Sequence, residues 1–147
     1  MMTRKRNKEA MNRKKRVLVV EDDGALEHFW EFILDRVGPH VEMAWAESVE
    51  EAEALLAKEK ERGRDFDLLI VDIYLLGGKT GLEMWEKHRN EAGAPPFIVT
   101  SSLSTGQFIK AGGTGPGLPC YLQKPLDPKE CIPMIEGLLS RPHAPAA

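Results

Sequence analysis

Short runs of apolar residues recur along the chain, and longer segments of mixed apolar and polar character separate them. The clearest run is Leu68–Val71, in which every position is apolar. An unbroken run of this length is typical of a strand that helices bury on both faces. Four further runs have the length and composition of strands: Val17–Val20, Val41–Ala46, Phe97–Thr100 and Cys120–Gln123. The pattern therefore predicts five strands.

The segments between these runs carry helical patterns. Apolar residues after the first run recur at the spacing of one helix face: Leu26, Phe29, Trp30, Ile33, Leu34 and Val37. A hydroxyl residue followed three positions later by a glutamate predicts a capping box, and this pattern occurs at Ser48/Glu51 and at Thr80/Glu83. Each box predicts the first turn of a helix.

The helix ends complete this prediction. We predict helices from about Val49 to Arg62, from Thr80 to about Glu91, from about Leu103 to Ala111, and from Asp127–Pro128 onward. Strands that alternate with helices predict an α/β fold, here a doubly wound five-stranded parallel sheet with helices on both faces. Right-handed crossovers and the strand order 2-1-3-4-5 would place the carboxyl ends of strands one and three side by side.

Composition bounds the class of protein. A chain of 147 residues, 42% of them hydrophobic, is long enough to bury one core and corresponds to one domain. No apolar run approaches the ~20 residues that a membrane-spanning helix needs, and no apolar segment follows the basic N-terminus as in a secretory signal. A cytoplasmic location is therefore expected. Cys120 and Cys131 lack the spacing of a metal or redox motif, so we interpret both as reduced thiols.

The two ends of the chain differ from its centre. Residues 1–15 are rich in lysine and arginine and poor in apolar residues, which predicts a disordered basic tail. Such a tail is either a solvated segment or a contact for nucleic acid or an acidic partner. The net charge is -3, so the remainder is acidic, which argues against a nucleic-acid-binding fold. We expect a folded domain over residues 16–140 and a second disordered tail over 141–147.

Carboxylates follow two of the predicted strands. Asp72 ends the third strand, and Glu21, Asp22 and Asp23 follow the first. Asp72 could simply begin a turn, since aspartate is common there. The predicted strand order, however, brings Glu21 and Asp22 next to Asp72, and three carboxylates in one crevice repel one another unless a cation lies between them. Mg²⁺ prefers oxygen ligands of this kind, so the crevice is predicted to be a magnesium site.

Two further groups follow the fourth and fifth strands. The hydroxyl of Ser101 and the ammonium group of Lys124 would lie at the same edge of the sheet. Both can hold the oxygens of a phosphoryl group on Asp72.

Four segments together resemble one family, the receiver domain (CheY-like) of two-component response regulators. They are Val-Val-Glu21-Asp22-Asp23, Leu-Ile-Val-Asp72, Pro96-Phe-Ile-Val-Thr-Ser101-Ser-Leu and Tyr121-Leu-Gln-Lys124-Pro125. The resemblance covers about residues 16–140. It implies that Asp72 accepts a phosphoryl group from a histidine kinase or a phosphotransfer protein, and that the domain catalyses only its own phosphorylation and dephosphorylation.

The resemblance also assigns roles to other residues. Mg²⁺ would be bound by Glu21, Asp22, Asp72 and the main-chain carbonyl of Tyr74. Lys124 would pair with the acyl phosphate, and its peptide bond to Pro125 is a candidate cis bond. Ser101, or Thr100 one position earlier, would form the switch pair with Tyr121.

Departures from the family pattern concern the loops. Receivers usually have proline four residues after the acceptor, where this chain has Leu76, and the stretch 77–81 is one residue longer than usual. The Gly/Pro-rich segment 112–119 stands where the family has a full fourth helix. We expect no output domain after residue 140 and therefore signalling by contact with an unidentified protein target, without direct DNA binding or membrane association. A homodimer is an open possibility.

Two other functions fit parts of the pattern. A pseudo-receiver would bind partners without phosphorylation, which the altered loops favour and the intact acidic set with Lys124 disfavours. A phosphatase with an aspartyl nucleophile would need a second carboxylate two residues after the nucleophile as general acid, and Tyr74 occupies that position.

Overall fold

The computed structural model describes residues 14–112 and 117–140. Within them, five strands alternate with five helices. In chain order they are β1 (Lys15–Val20), α1 (Ala25–Val37), β2 (Val41–Ala46), α2 (Val49–Glu61), β3 (Leu68–Asp72), α3 (Gly81–His88), β4 (Phe97–Ser101), α4 (Thr105–Ala111), β5 (Cys120–Gln123) and α5 (Pro128–Leu139). The predicted tails, except residues 14 and 15, and part of the Gly/Pro-rich segment lie outside the described residues. Lys15 belongs to β1, and its N–H donates to the carbonyl of His40.

The strands form one parallel sheet in the order β2-β1-β3-β4-β5, which confirms the predicted fold. In β3, Leu68 and Ile70 face the core beneath α1 and α5, whereas Leu69 and Val71 face the core beneath α2 and α3. Every residue of β3 is buried. The unbroken apolar run therefore follows from the central position of the strand, because both of its faces are covered.

The helix starts differ in detail from the predicted caps. The Ser48 hydroxyl accepts a hydrogen bond from the Glu51 N–H, but the Glu51 carboxylate accepts from the N–H of Glu47. The predicted capping box at α2 is thus half formed, because Glu51 accepts from the N–H of Glu47 and not from that of the N-cap residue Ser48. The sequence analysis missed a complete box at α4, where Ser104 and Gln107 bond reciprocally.

Helix α3 ends at His88, three residues before the predicted end at Glu91. The ring of His88 lies between two carboxylates, with Nε2 2.7 Å from Glu53 and Nδ1 2.9 Å from Glu91. The chain then turns, and Gly93 adopts a φ of 73° that favours glycine. The helical pattern in the sequence therefore extends past His88, although the chain leaves the helix there. Among the described residues, no helix has the length and apolar character required to cross a membrane.

Gly81 begins α3 directly against the end of β3. Its N–H donates to the carbonyl of Ile73 at 3.0 Å. A Cβ atom at this position would lie 2.2 Å from the carbonyl oxygen of Asp72 and 2.8 Å from Cγ1 of Val71. The close approach leaves room for glycine alone, and it fixes the backbone that carries Asp72.

We predict that Gly81→Ala destabilises the fold. The new methyl group would meet backbone, which cannot yield as a flexible side chain can, and such overpacking costs about 1–3 kcal/mol. Urea denaturation measures the change in the free energy of unfolding. Gly137→Ala in α5 is the matched control, because a Cβ there meets nothing within 4 Å. The control should be neutral or stabilising by up to ~1 kcal/mol. Equal stability of the two variants would contradict the prediction.

Candidate functional site

The candidate site lies at the carboxyl ends of β1 and β3. These strands are neighbours, and their register pairs Val20 with Val71. Glu21 and Asp22 follow β1 directly, and Asp72 is the last residue of β3. The register therefore carries the three carboxylates to one edge of the sheet. One oxygen of each lies within 4.8 Å of the others.

Two of these carboxylates are deeply buried: Glu21 is 2% exposed and Asp72 is 6% exposed. Burial, together with the adjacent charge of Asp72, raises the pKa of Glu21 to about 7. Lys124 acts in the opposite direction, because its positive charge favours the ionised carboxylate. Negative charge is thus concentrated in a place where water screens it poorly.

Lys124 enters this cluster from the end of β5. Its Nζ lies 3.0 Å from Oδ2 of Asp72 and 3.2 Å from Oε1 of Glu21. Its main-chain N–H donates to the carbonyl of Ser101, and its peptide bond to Pro125 is cis. Burial alone would lower the pKa of Lys124, but hydrogen bonds and charge interactions with Asp72 and Glu21 outweigh it and raise that pKa. The ammonium group therefore stays charged and joins the two buried carboxylates.

The donor set fits a hard divalent cation. The cluster offers carboxylate oxygens from Glu21, Asp22 and Asp72, which are the ligands that Mg²⁺ prefers. Asp22 is only partly buried, which leaves one side of the cluster open to water and to an incoming ligand. Asp23 has a different role, because its Oδ1 accepts from the N–H of Ala25 at the start of α1.

The loop after β3 contributes a group that the sequence analysis missed. The main-chain N–H of Leu76 donates to Oδ2 of Asp22 at 3.0 Å. The available signal was the leucine itself, because proline at this position would have no N–H to donate. Tyr74, the predicted source of a carbonyl ligand, lies in the same loop with its side chain 58% exposed.

A hydroxyl pair lies beside the cluster at the end of β4. Oγ of Ser101 is 2.6 Å from the hydroxyl oxygen of Tyr121, and it accepts from the N–H of Leu103. The Tyr121 hydroxyl also contacts the carbonyl of Leu103 at 2.5 Å. A hydroxyl has a single proton, so a Tyr121 hydroxyl that donates to Leu103 accepts from Ser101. The tyrosine ring stacks on Phe108 of α4, with ring centroids 4.1 Å apart.

Thr100 occupies the preceding position. It is buried, and in the sheet register it lies opposite Asp72. Ser101, in contrast, is the residue whose hydroxyl pairs with Tyr121. The geometry therefore favours Ser101 over Thr100 as the hydroxyl connected to α4 and β5.

Comparison with solved structures agrees with this architecture. A putative response regulator from Chloroflexus aurantiacus has 25% sequence identity and a TM-score of 0.69, and the match covers 88% of this chain and 100% of that chain. A CheY-like response regulator receiver domain protein from Methanospirillum hungatei has 28% identity and a TM-score of 0.61, with 86% of this chain and 94% of that chain covered.

Curated relatives and a family model identify the sequence. The transcriptional regulatory protein AruR of Pseudomonas aeruginosa is 30% identical over 133 residues, which cover 90% of this chain and 52% of that protein. The chain thus spans about half the length of the curated relatives that it matches. Residues 17–136 match the model of the response regulator receiver domain. With its sheet order and acidic cluster, this chain belongs to the response regulator receiver domain family of two-component systems.

Proposed function

We propose that this chain is a cytoplasmic phosphoacceptor, in which Asp72 receives a phosphoryl group from a histidine kinase or a phosphotransfer protein in a Mg²⁺-dependent reaction. The observation that carries the proposal is the position of the Asp72 carboxylate. It ends the central strand, lies next to the Glu21 and Asp22 carboxylates and is hydrogen-bonded by Lys124. A buried nucleophile beside an ammonium group and a cation site is suited to phosphoryl transfer.

In the proposed reaction, a carboxylate oxygen of Asp72 attacks the phosphorus atom of the donor. A new O–P bond forms, and the P–N bond to the donor histidine breaks, with its electron pair returning to the imidazole. Glu21, Asp22, Asp72 and the Tyr74 carbonyl would hold Mg²⁺, which supplies charge neutralisation at the phosphoryl oxygens. Lys124, whose Nζ lies 3.0 Å from Asp72, would bind one of those oxygens.

The proposed output depends on Ser101 and Tyr121. A phosphoryl group on Asp72 would offer new acceptor oxygens to the Ser101 hydroxyl, in competition with Tyr121. Movement of Ser101 would then alter the Tyr121–Phe108 stack and the surface of α4 and β5. We infer that a downstream protein recognises this surface, since a signal needs a partner with different affinity for the two states. A second copy of the chain is one candidate for that partner.

The other two functions gain less support. An aspartyl phosphatase would need a general acid two residues after Asp72, and the exposed phenol of Tyr74 stands there. A pseudo-receiver would have no use for a lysine held between two buried carboxylates. The experiment below separates the pseudo-receiver from the phosphoacceptor directly.

We predict that acetyl phosphate and Mg²⁺ add one phosphate to the protein and that Asp72→Asn abolishes the addition. The amide lacks the nucleophilic carboxylate oxygen, although it has almost the same shape. Intact mass spectrometry measures the gain. Asp35→Asn, which changes an exposed carboxylate of α1, is the control and should be labelled normally. Labelling of Asp72→Asn would remove Asp72 as the acceptor, and an unlabelled wild type would favour the pseudo-receiver.

We predict that Asp22→Ala weakens Mg²⁺ binding by at least ~10-fold, the loss that even a supporting residue of a metal site produces. Asp22 provides the least buried of the three carboxylates, so it is the ligand that a hydrated ion meets first. Calorimetric or NMR titration gives the dissociation constant. Asp35→Ala removes the same charge at the far end of α1 and should bind like the wild type. Unchanged binding in Asp22→Ala would remove Asp22 from the site.

We predict that Ser101→Ala is still phosphorylated but that phosphorylation changes the conformation of β4, α4 and β5 less than in the wild type. The chemistry rests on Asp72, Mg²⁺ and Lys124, whereas Ser101 connects the site to Tyr121. Hydrogen exchange with and without beryllofluoride, a mimic of the phosphoryl group, should show a smaller difference in β4, α4 and β5 than in the wild type. Ser102→Ala, which alters an exposed hydroxyl, is the control. If Thr100→Ala has this phenotype and Ser101→Ala does not, the switch is Thr100.

A further inference from the structure

The loop between β3 and α3 is held firmly at both ends. At its start, the N–H of Ile73 donates to the carbonyl of Thr100 at 2.9 Å. At its end, the N–H of Gly81 donates back to the carbonyl of Ile73. Residues 74–80 therefore form a closed loop beside the carboxylate cluster. The hydrogen bond from Leu76 to Asp22 joins the middle of this loop to the segment after β1.

The side chain of Leu76 does not explain this position. It is 73% exposed, so it contributes little to the core. Its main-chain N–H, in contrast, reaches a carboxylate that is 54 residues away in sequence. What Leu76 supplies to the site is therefore a backbone donor.

We propose that the N–H of Leu76 is a positioning group for the metal site: it fixes one oxygen of Asp22 and leaves the other oxygen directed at the cation. This inference rests on the proposed magnesium site. It assigns to the loop a role in setting cation affinity, which a proline at position 76 could not perform.

The hydrogen bond from Leu76 to Asp22 opposes the repulsion between the carboxylates of the cluster. Asp22 lies close to the buried charges of Glu21 and Asp72, which repel it towards the solvent. An N–H donor to an ionised acceptor makes a strong hydrogen bond, so it opposes this repulsion. A carboxylate has lone pairs on both oxygens, and it can accept from Leu76 while it binds an ion. Donors of this kind orient metal ligands and raise metal affinity.

The backbone after Leu76 supports the same geometry. Gly77 and Gly78 have φ values of 102° and 88°, in the region that favours glycine. A Cβ on Gly77 would lie 3.1 Å from a carboxylate oxygen of Glu50. The two glycines thus turn the chain directly after Leu76 and close to the start of α2, while the Leu76 N–H bonds to Asp22.

The test compares two substitutions of one exposed residue. Leu76→Pro removes the N–H, whereas Leu76→Ala retains it and removes the side chain. We expect Mg²⁺ to bind Leu76→Pro ~10-fold more weakly than wild type, the usual effect of losing a supporting hydrogen bond, and Leu76→Ala to bind within about twofold. NMR titration of the metal-free proteins measures both values. Equal affinities of the two variants, or tighter binding by Leu76→Pro, would overturn the proposal.

A second measurement does not depend on proline. In metal-free wild type and Leu76→Ala, the amide of residue 76 should be protected from hydrogen exchange, and Asp22→Ala should abolish that protection. Unaltered protection in Asp22→Ala would refute the bond to Asp22, even if Leu76→Pro failed to fold. Neither measurement involves phosphorylation. A protein that shows both effects but is not labelled by acetyl phosphate would retain this inference and lose only the proposed function.

Discussion

The attraction between one ammonium group and two buried carboxylates is the interaction on which this site depends. Glu21 and Asp72 lie side by side at the end of the sheet, nearly without access to water. Two such charges would each be costly to bury alone. Lys124 hydrogen-bonds to both and so offsets their repulsion. The ends of β1, β3 and β5 are therefore coupled electrostatically across a sheet that already connects them by hydrogen bonds.

The fold delivers these groups because of its strand order. In a parallel sheet ordered β2-β1-β3-β4-β5, the strand that follows β1 in the chain lies on one side of it, and β3 lies on the other side. The loops after β1 and β3 therefore lead to helices on opposite faces of the sheet. The crevice between them receives Glu21, Asp22 and Asp72. Gly81 lies against the main-chain carbonyl of Asp72, so the backbone of Asp72 is held by packing as well as by its neighbours in the sheet. Packing and electrostatics thus constrain the same residue.

The sequence contained most of this fold. The apolar run of β3 is typical of a strand covered on both faces, and the alternation of strands and helices predicted the parallel sheet. The sequence shows that Glu21, Asp22 and Asp72 follow predicted strands. The predicted strand order makes the ends of these strands neighbours, so the convergence of the three carboxylates could be predicted. Helix caps were less predictable: Glu51 bonds to the N–H of Glu47, and the choice between two adjacent N–H groups depends on local backbone angles.

The remaining features lay in groups that a sequence does not display. The donor to Asp22 is a main-chain N–H, which nearly every residue has, and only the fold selects Leu76. The partners of Tyr121 likewise include the carbonyl of Leu103, whose position depends on the turn after β4. Side chains with strong chemistry identify a site from sequence, but the backbone groups that orient them become apparent only when the loops are folded.

Two segments connect the carboxylate cluster to the surface, and they contact it through different groups. The β3–α3 loop contacts the cluster through the hydrogen bond from the Leu76 N–H to the Asp22 carboxylate. The end of β4 connects to the site through the carbonyl of Ser101, which accepts from the N–H of Lys124, and the Ser101 hydroxyl connects to Phe108 through Tyr121. Under the proposed function a change at Asp72 would act on both segments, because β3 itself is buried throughout and cannot move without opening the core. The conformational change that we propose would therefore take place in the loops, where less packing opposes it.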